Sequence, residues 1–314
     1  MTTMIALVGE QPIPNLIPVR YLRPEALVLV YTGLTEGKAR NLSRLLTDSK
    51  VVYLRVNDPY DMVGMRHAIL RAIEGRSDLV FNLTGGTKTM VLAAYEVAKS
   101  LSSPFIYLQT EGSRGQALQT VLYHYCFKDG QSVLEQRQPI HERVISLDDY
   151  LRAHFGDYET GDFHRDERGE LSEGGRLEKA VHDALRGWVD DIKVSVRPKG
   201  VKEQLEIDLV IQLGNQVGFI EVKSGGKQSG KEAVDQLTTT AARELSGTYT
   251  ARFVVTGATA HDQFKALALK LGVTVIELPR YRDGRLGREE QETLRERIST
   301  RLPSSLSARP EIVC

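Results

Sequence analysis

Residues 78–90 read DLVFNLTGGTKTM, an apolar strand that runs into a glycine-rich turn and then into a helix. A strand, turn and helix N-terminus in this order form an anion-binding site, because backbone N–H groups and the helix dipole face the incoming charge. Glycine lets the backbone approach a phosphate closely. The threonine hydroxyls add hydrogen bonds and the lysine adds positive charge. We therefore expect ligand contacts from the turn residues Thr84, Gly85, Gly86, Thr87 and Lys88.

The loop fits neither of two common nucleotide-binding patterns. A P-loop requires Lys directly after Gly, whereas Lys88 follows Thr87, and the spacing Gly-x-Gly-x-x-Gly is missing. An ATPase and a dinucleotide dehydrogenase are therefore disfavoured. The alternative is a structural turn capped by Thr87. Such a turn does not need Thr-Gly-Gly-Thr-Lys-Thr together, so ligand binding is the favoured interpretation.

The residues around this loop predict a doubly wound parallel sheet, since short apolar strands alternate with helical segments. Ligands of such sheets bind beyond the carboxyl ends of the strands. Gly9 and Gln11 follow the first strand and Thr32 follows the second, so we expect these three residues at the ligand site. The alternative for Gly9 and Thr32 is that they are simply turn residues. The predicted strands are 4–8, 26–31, 51–56, 78–82 and 104–109, and the predicted helices are 35–47, 60–74 and 87–101.

A second group of polar residues lies on two apolar strands, 205–211 and 217–223, joined by a loop of hairpin length. Because side chains alternate along a strand, Glu221 and Lys223 point to one side, and the hairpin brings Asp208 beside them. Asp208 and Glu221 are oxygen ligands suited to Mg²⁺ or Mn²⁺, and Lys223 is placed to hold water or a phosphate. A surface salt bridge is the alternative. Charged groups on apolar strands favour the catalytic interpretation.

A helix with another acid precedes this hairpin. Leu177, Val181 and Leu185 recur at helical spacing, and Glu178 lies at the edge of that apolar stripe. The order helix-Glu178, strand-Asp208, strand-Glu221-x-Lys223, helix resembles the PD-(D/E)xK nuclease superfamily. That resemblance implies a catalytic and metal-binding role for Glu178, whereas a solvated carboxylate at the helix edge is the alternative. The following helix is expected at about 230–246, where Gln236 matches a glutamine of related nucleases.

The loop also carries a family resemblance. Asn82 through Met90 matches the pattern Asn-x-Thr-Gly-Gly-Thr-Lys-x-Met of CARF domains, the Rossmann-like sensors of cyclic oligoadenylates. A CARF-like half followed by a PD-(D/E)xK-like half resembles the ancillary nucleases of type III CRISPR systems. The resemblance implies a homodimer, cyclic tetra-adenylate as activator, and Mn²⁺- or Mg²⁺-dependent cleavage of DNA, RNA or both in antiviral defence. Two alternatives are a non-catalytic nucleotide sensor and a ring nuclease that degrades the cyclic ligand.

Length and composition set the organisation. The chain has 314 residues, 41% of them hydrophobic, and zero formal net charge, which argues against a surface that is basic throughout. Two cysteines exclude a disulfide framework. The apolar runs are too short to span a membrane, so a soluble cytoplasmic protein is expected. We expect a CARF-like domain at 1–150, a polar linker at 151–173, and a nuclease domain at 174–314 with a charged helical tail.

Overall fold

The computed structural model describes residues 1–111, 119–199, 205–225, 250–282 and 284–302. The chain forms two compact units. Unit 1 comprises Met1–Glu111 and Gln119–Gly156, and unit 2 begins at Asp157. Each unit is built on its own β-sheet with helices packed against it, so both units have the α/β fold class that the sequence predicted.

Unit 1 contains a seven-stranded sheet. Its strands are β1 (Thr2–Leu7), β2 (Ala26–Tyr31), β3 (Lys50–Arg55), β4 (Asp78–Asn82), β5 (Phe105–Glu111), β6 (Gln119–Lys128) and β7 (Gln131–Pro139). The spatial order is β3-β2-β1-β4-β5-β6-β7, with parallel pairing from β3 through to β5 and antiparallel pairing beyond it. The chain proceeds outward from β1 on one side and returns to β4 on the other, so the direction of winding reverses between β1 and β4. Doubly wound sheets bind ligands at this reversal.

Five helices belong to unit 1. They are α1 (Ile13–Leu22), α2 (Glu36–Leu45), α3 (Met62–Ala72), α4 (Lys88–Ser100) and α5 (Leu147–Phe155). The core under α3 and α4 is formed by aliphatic and aromatic side chains such as Ile5, Val28, Phe81, Met90 and Val97, all of them buried. Helices α2, α3 and α4 and strands β1 to β5 lie within a few residues of their predicted positions.

The sequence analysis did not predict α1. Residues 13–19 of this helix are all buried, so the helix has no polar face and its apolar residues show no helical period. Pro14 lies in the first turn, where a missing N–H costs nothing, but Pro18 lies inside the helix. Because the helix contains proline and is buried on all sides, its sequence lacks the hydrophobic periodicity by which a helix is recognised. Tertiary packing stabilises it.

Unit 2 contains a six-stranded sheet. Its strands are β8 (Tyr158–Thr160), β9 (Asp191–Pro198), β10 (Ile207–Leu213), β11 (Gln216–Lys223), β12 (Thr250–Thr256) and β13 (Val273–Glu277). The order is β13-β12-β11-β10-β9-β8, antiparallel from β8 to β11 and parallel from β11 to β13. The predicted hairpin is β10–β11, with Leu209 opposite Ile220 and Leu213 opposite Gln216.

The helices described in unit 2 are α6 (Glu173–Leu185), α7 (Asp262–Lys270) and α8 (Arg288–Ser299). The predicted charged tail at 286–301 corresponds to α8, and it is part of the core. Leu294 and Ile298 are fully buried, and Leu302 packs where a Cβ on Gly218 would stand only 2.7 Å from its Cδ1. Most of the charged residues of α8 are exposed, but Glu290 is buried and accepts a hydrogen bond from Arg280 N at 2.6 Å.

The structure also differs from the predicted linker at 151–173. Residues up to Phe155 complete α5 in unit 1, and β8 pairs with β9 in unit 2. The polar residues between β8 and α6 are held by backbone hydrogen bonds, for example from Asp166 N to Glu170 O and from Ser172 N to His164 O. Polar composition suggested a linker because it does not reveal such backbone pairing.

No helix among the described residues is long and apolar enough to cross a membrane.

Candidate functional sites

The glycine-rich loop of unit 1 lies where β1 and β4 end side by side. A Cβ on Gly9 would stand 3.0 Å from the backbone nitrogen of Gly86, and a Cβ on Gly85 would overlap the carbonyl oxygen of Leu7. Gly86 has a φ of 79°, a conformation that favours glycine. The two predicted ligand segments therefore pack backbone against backbone at the reversal of the sheet, and only glycine fits there.

Asn82, at the end of β4, holds the loop in place through hydrogen bonds of its side chain. Its side chain is fully buried, its Nδ2 donates to Pro14 O at 2.8 Å, and its Oδ1 accepts from Thr84 N at 3.1 Å. The Thr84 hydroxyl donates to the same Oδ1 at 2.7 Å and accepts from Leu108 N at 2.8 Å. The Thr84 hydroxyl thus holds the loop against β5, and its predicted contact with a ligand stays a prediction.

Thr87 and Lys88 begin α4. The Thr87 side chain accepts from Met90 N at 3.3 Å and caps the helix. Lys88 is exposed at the first helical position. A cation at a helix N-terminus repels the positive end of the helix dipole, and α4 has no acidic residue in its first turn. A bound anion would offset both charges.

The other two predicted ligand segments have different surroundings. The Oε1 atom of Gln11 is buried and has no hydrogen-bond partner, which is the state expected of a group that awaits a ligand. Thr32 forms the turn into α2, where its backbone N–H donates to Thr35 Oγ1 at 3.0 Å. Thr32 therefore shapes this turn, and its predicted contact with a ligand stays a prediction.

In unit 2, the hairpin β10–β11 brings the predicted acids together. Continuing its register by one pair places Asp208 opposite Glu221. Asp208 Oδ2 accepts from Val222 N at 2.7 Å, and Lys223 Nζ donates to Glu221 Oε1 at 2.7 Å. Asp208 is 4% exposed and Glu221 is 1% exposed. These are buried carboxylates with one ammonium, so the alternative of a surface salt bridge does not describe them.

Glu178 joins this group from α6. It is 3% exposed, so the alternative of a solvated carboxylate at the helix edge is excluded. His164 binds it twice: the His164 backbone N–H donates to Glu178 Oε2 at 3.1 Å, and the ring Nδ1 lies 2.6 Å from Glu178 Oε1. His182, one turn further along α6, contacts Asp183 at 3.0 Å. The predicted glutamine, Gln236, lies outside the described residues.

His164 was missed by the sequence analysis. It lies in the stretch interpreted as a linker, fourteen residues before Glu178, and no periodicity connects the two. The available signal was Gly174-Gly175, because a Cβ on Gly175 would overlap the backbone carbonyl oxygen of His164. The second glycine thus marks the point where another segment crosses the first turn of α6.

Burial dominates the electrostatics of the site. Desolvation, with the nearby Asp208 carboxylate adding to it, raises the pKa of Glu221 to about 8. Desolvation also raises the pKa of Asp208 to about 6, against the hydrogen bond from Val222. Desolvation lowers the pKa of Lys223, but the carboxylates of Glu221, Asp208 and Glu178 together outweigh it, so that this pKa is raised. Carboxylates with raised pKa values in a cleft are typical of functional sites.

The donor set fits a divalent cation. One ligand atom from each of His164, Glu178 and Asp208 lies within 4.8 Å of the others. The Glu221 Oε2 atom is buried and has no hydrogen-bond partner. His164, Glu178, Asp208 and Lys223 border an open cleft of about 300 Å³. Converging oxygen donors with an unsatisfied buried carboxylate oxygen are what a hard cation binds.

Unit 1 resembles a known protein family in sequence. Residues 3–150 match the family model of the Card1 CARF domain. Unit 1 has the CARF fold. The prediction of a CARF domain, made from the loop Asn82–Met90, is therefore confirmed for the domain as a whole. No curated protein sequence matches the chain.

Three solved structures resemble the whole chain. Can2 from Sulfobacillus thermosulfidooxidans, in complex with cyclic tetra-adenylate, has a TM-score of 0.67 and 14% identity over 95% of this chain and 98% of that chain. A protein from Vibrio cholerae has a TM-score of 0.70 and 14% identity over 95% of this chain and 97% of that chain. At these identities the likeness shows that the chain shares their fold.

The third structure is a type III CRISPR defence DNA nuclease activated by cyclic oligoadenylate, with a TM-score of 0.62 and 16% identity. The match covers 98% of this chain and 52% of that chain, so this chain spans about half the length of that nuclease.

Proposed function

We propose that this protein is a metal-dependent nuclease of type III CRISPR defence, activated by a cyclic oligoadenylate bound to unit 1. The observation that carries the proposal is the set of buried carboxylates Glu178, Asp208 and Glu221, with the partly exposed Lys223 bound to Glu221. Two relatives in fold support it, namely Can2 bound to cyclic tetra-adenylate and the nuclease activated by cyclic oligoadenylate. The substrate is DNA, RNA or both.

The chain's own residues divide the catalytic work. Glu178, Asp208 and Glu221 would hold Mn²⁺ or Mg²⁺, and a divalent cation bound there supplies a Lewis acid for the attacking water and the scissile phosphate. Lys223 Nζ is 2.7 Å from Glu221 Oε1 and borders the cleft, so it is placed to contact a phosphate oxygen or to orient the water. The hydrogen bond from Val222 N fixes the Asp208 carboxylate.

Ligand binding in unit 1 uses the loop of Gly85 to Lys88 together with Gly9 and Gln11. The first-turn N–H groups of α4 have no acceptor within the helix, and the exposed Lys88 ammonium adds charge. One such loop is small beside a cyclic oligonucleotide with several phosphates. A ring with twofold symmetry is matched by two loops from a symmetric pair of chains, so the protein acts as a homodimer with one ring across the axis.

A non-catalytic nucleotide sensor is the second candidate. Such a protein has no use for three carboxylates that are at most 4% exposed, because burying them costs stability without a function to require it. A ring nuclease would place its chemistry in unit 1. Among the described residues, the two buried carboxylates with pKa values raised to about 6 and about 8, Asp208 and Glu221, instead lie in unit 2.

The test is a cleavage screen with the purified full chain. Labelled supercoiled DNA, single-stranded DNA and RNA are incubated with Mn²⁺ or Mg²⁺ and with each cyclic oligoadenylate in turn. We expect cleavage that requires both the cation and one of the rings and that is lost in EDTA. Undiminished cleavage in EDTA would refute metal dependence. Binding of a ring without any cleavage, across all substrates and both cations, would favour the sensor.

A further inference from the structure

His164 approaches the candidate metal site from a segment that no part of the proposed mechanism uses. Its ring Nδ1 lies 2.6 Å from Glu178 Oε1, and a ring nitrogen lies within 4.8 Å of ligand atoms of both Glu178 and Asp208. The ring is half exposed, on the side of the cleft. An imidazole that faces two buried carboxylates across an open cleft is placed like a ligand rather than like a surface side chain.

The backbone of His164 is held at both ends by α6. Its N–H donates to Glu178 Oε2 at 3.1 Å, and its carbonyl oxygen accepts from Ser172 N at 3.0 Å and from the Ser172 hydroxyl at 3.2 Å. Gly175 lacks the Cβ that would overlap that carbonyl oxygen. The ring therefore starts from a fixed position, which lowers the entropy lost when it binds a ligand.

The two ring nitrogens have different surroundings. Nδ1 faces Glu178, whereas Nε2 lies 3.9 Å from Glu206 Oε1. Glu206 is itself held, by the Ser195 hydroxyl at 2.6 Å and by Arg197 at 2.9 Å. The 3.9 Å between Nε2 and Glu206 is an ion-pair distance and not a hydrogen bond, but the negative charge of Glu206 on that side favours the proton on Nε2, which leaves the Nδ1 lone pair for a metal.

We propose that His164 Nδ1 is a further ligand of the divalent cation, beside Glu178 and Asp208, and that it makes the site favour Mn²⁺ over Mg²⁺. The inference rests on the proposed function only in that the same site binds a cation. Both cations bind carboxylates well, but Mg²⁺ is a hard cation that takes oxygen ligands, whereas Mn²⁺ is a first-row transition metal that also accepts an imidazole nitrogen. A nitrogen ligand therefore adds affinity for Mn²⁺ that it does not add for Mg²⁺.

The first test measures cation binding without substrate or ring, by calorimetry on the full chain. We expect His164→Gln to weaken Mn²⁺ binding by about tenfold or more, the scale on which even the outer partners of metal ligands act. Mg²⁺ binding should change by less than about threefold, since its ligands are oxygens. His261→Gln is the matched control, because His261 is exposed at the start of α7 and its side chain makes no capping hydrogen bond there. Equal losses for both cations, or no loss for Mn²⁺, would overturn the assignment.

The second test needs no variant and so is independent of folding. Protein containing ¹⁵N-histidine is loaded with Mn²⁺, and pulsed electron paramagnetic resonance detects whether a histidine nitrogen couples to the ion. We expect a directly bound nitrogen in the wild-type protein. If Mn²⁺ binds in a manner that depends on Asp208 but shows no nitrogen coupling, the role of His164 is refuted and the nuclease proposal stands. If no divalent cation binds at all, both are refuted.

Discussion

Asp208 and Glu221 are carboxylates that the hairpin keeps away from water, and the free energy of that burial is the strongest local sign of function. Alternation along the strands predicted that Glu221 and Lys223 share a face, and the 2.7 Å contact between them agrees with it. Strand phase also brought Asp208 near them. The degree of burial was not predictable from the sequence, because it depends on which segments cover the hairpin.

Asp208→Asn is expected to reduce cleavage by at least about a hundredfold, on the scale of losing one electrostatic group in an active site. The amide keeps the size of the side chain but removes its charge and weakens cation binding. Asp183→Asn is the control, since Asp183 is exposed on α6 and pairs with Lys179. Single-turnover rates measure the effect. Activity of Asp208→Asn close to that of the control would contradict the assignment.

The raised pKa of Glu221 has a consequence for stability in metal-free buffer. The unfolded chain releases this proton near the ordinary pKa of 4.5, whereas the folded chain holds it up to about pH 8. Between these values the folded state binds more protons than the unfolded state, so the free energy of unfolding falls as pH rises. Glu221→Gln removes this titration.

Denaturant unfolding of the wild-type protein and of Glu221→Gln in EDTA, from about pH 5 to about pH 9, checks this linkage. We expect the variant to lose less stability over the range and to become the more stable of the two at the alkaline end. Parallel profiles for the two proteins would show that the carboxylate ionises in the folded state as it does in water.

At the scale of elements, the crossing of residues 161–165 over α6 builds the site. Gly175→Ala would push a methyl group into the carbonyl oxygen of His164, and overpacking of this kind costs about 1–3 kcal/mol. Gly174→Ala is the matched control, because its Cβ would meet nothing closer than 3.8 Å. In the control, alanine favours the helix by about 0.5–1 kcal/mol.

We therefore expect Gly175→Ala to lower both the free energy of unfolding and the affinity for Mn²⁺, and Gly174→Ala to leave the affinity unchanged. Thermal melts and calorimetric titrations measure the two quantities. A Gly175→Ala protein with wild-type cation affinity would mean that the crossing segment does not shape the site.

Elements with a clear period were predictable, and elements defined by tertiary contact were not. Strands β1 to β5 and the hairpin β10–β11 follow from apolar runs and turn residues. Helix α1 was hidden by Pro14 and Pro18 and by burial on every side. Helix α8 looked like a charged tail because most of its charged residues are exposed, while Leu294 and Ile298 enter the core. His164 reaches the site through backbone contacts, which leave no pattern in the sequence.

At the scale of the whole molecule, the proposed binding mode places one ring between the loops of two chains. Lys88 is placed to contact a phosphate, so Lys88→Ala should weaken ring binding without changing the affinity of unit 2 for Mn²⁺. Lys99→Ala, at the other end of α4, is the control. Calorimetry is expected to give one cyclic tetra-adenylate per two chains. A stoichiometry of one ring per chain, or wild-type affinity in Lys88→Ala, would argue against a shared twofold site.

The central claim is that ring binding in unit 1 controls chemistry in unit 2. The ring can do so only as far as it binds the active arrangement more tightly than the inactive one. The most direct measurement is the initial cleavage rate in Mn²⁺ as cyclic tetra-adenylate is titrated against the wild-type protein, Lys88→Ala and Asp208→Asn. We expect the wild-type cleavage rate to rise to a plateau, and the rate of Lys88→Ala to reach the same plateau at a higher ring concentration. Asp208→Asn should bind the ring normally and remain inactive throughout. A wild-type rate that is unchanged by the ring, or an active Asp208→Asn, would contradict this claim.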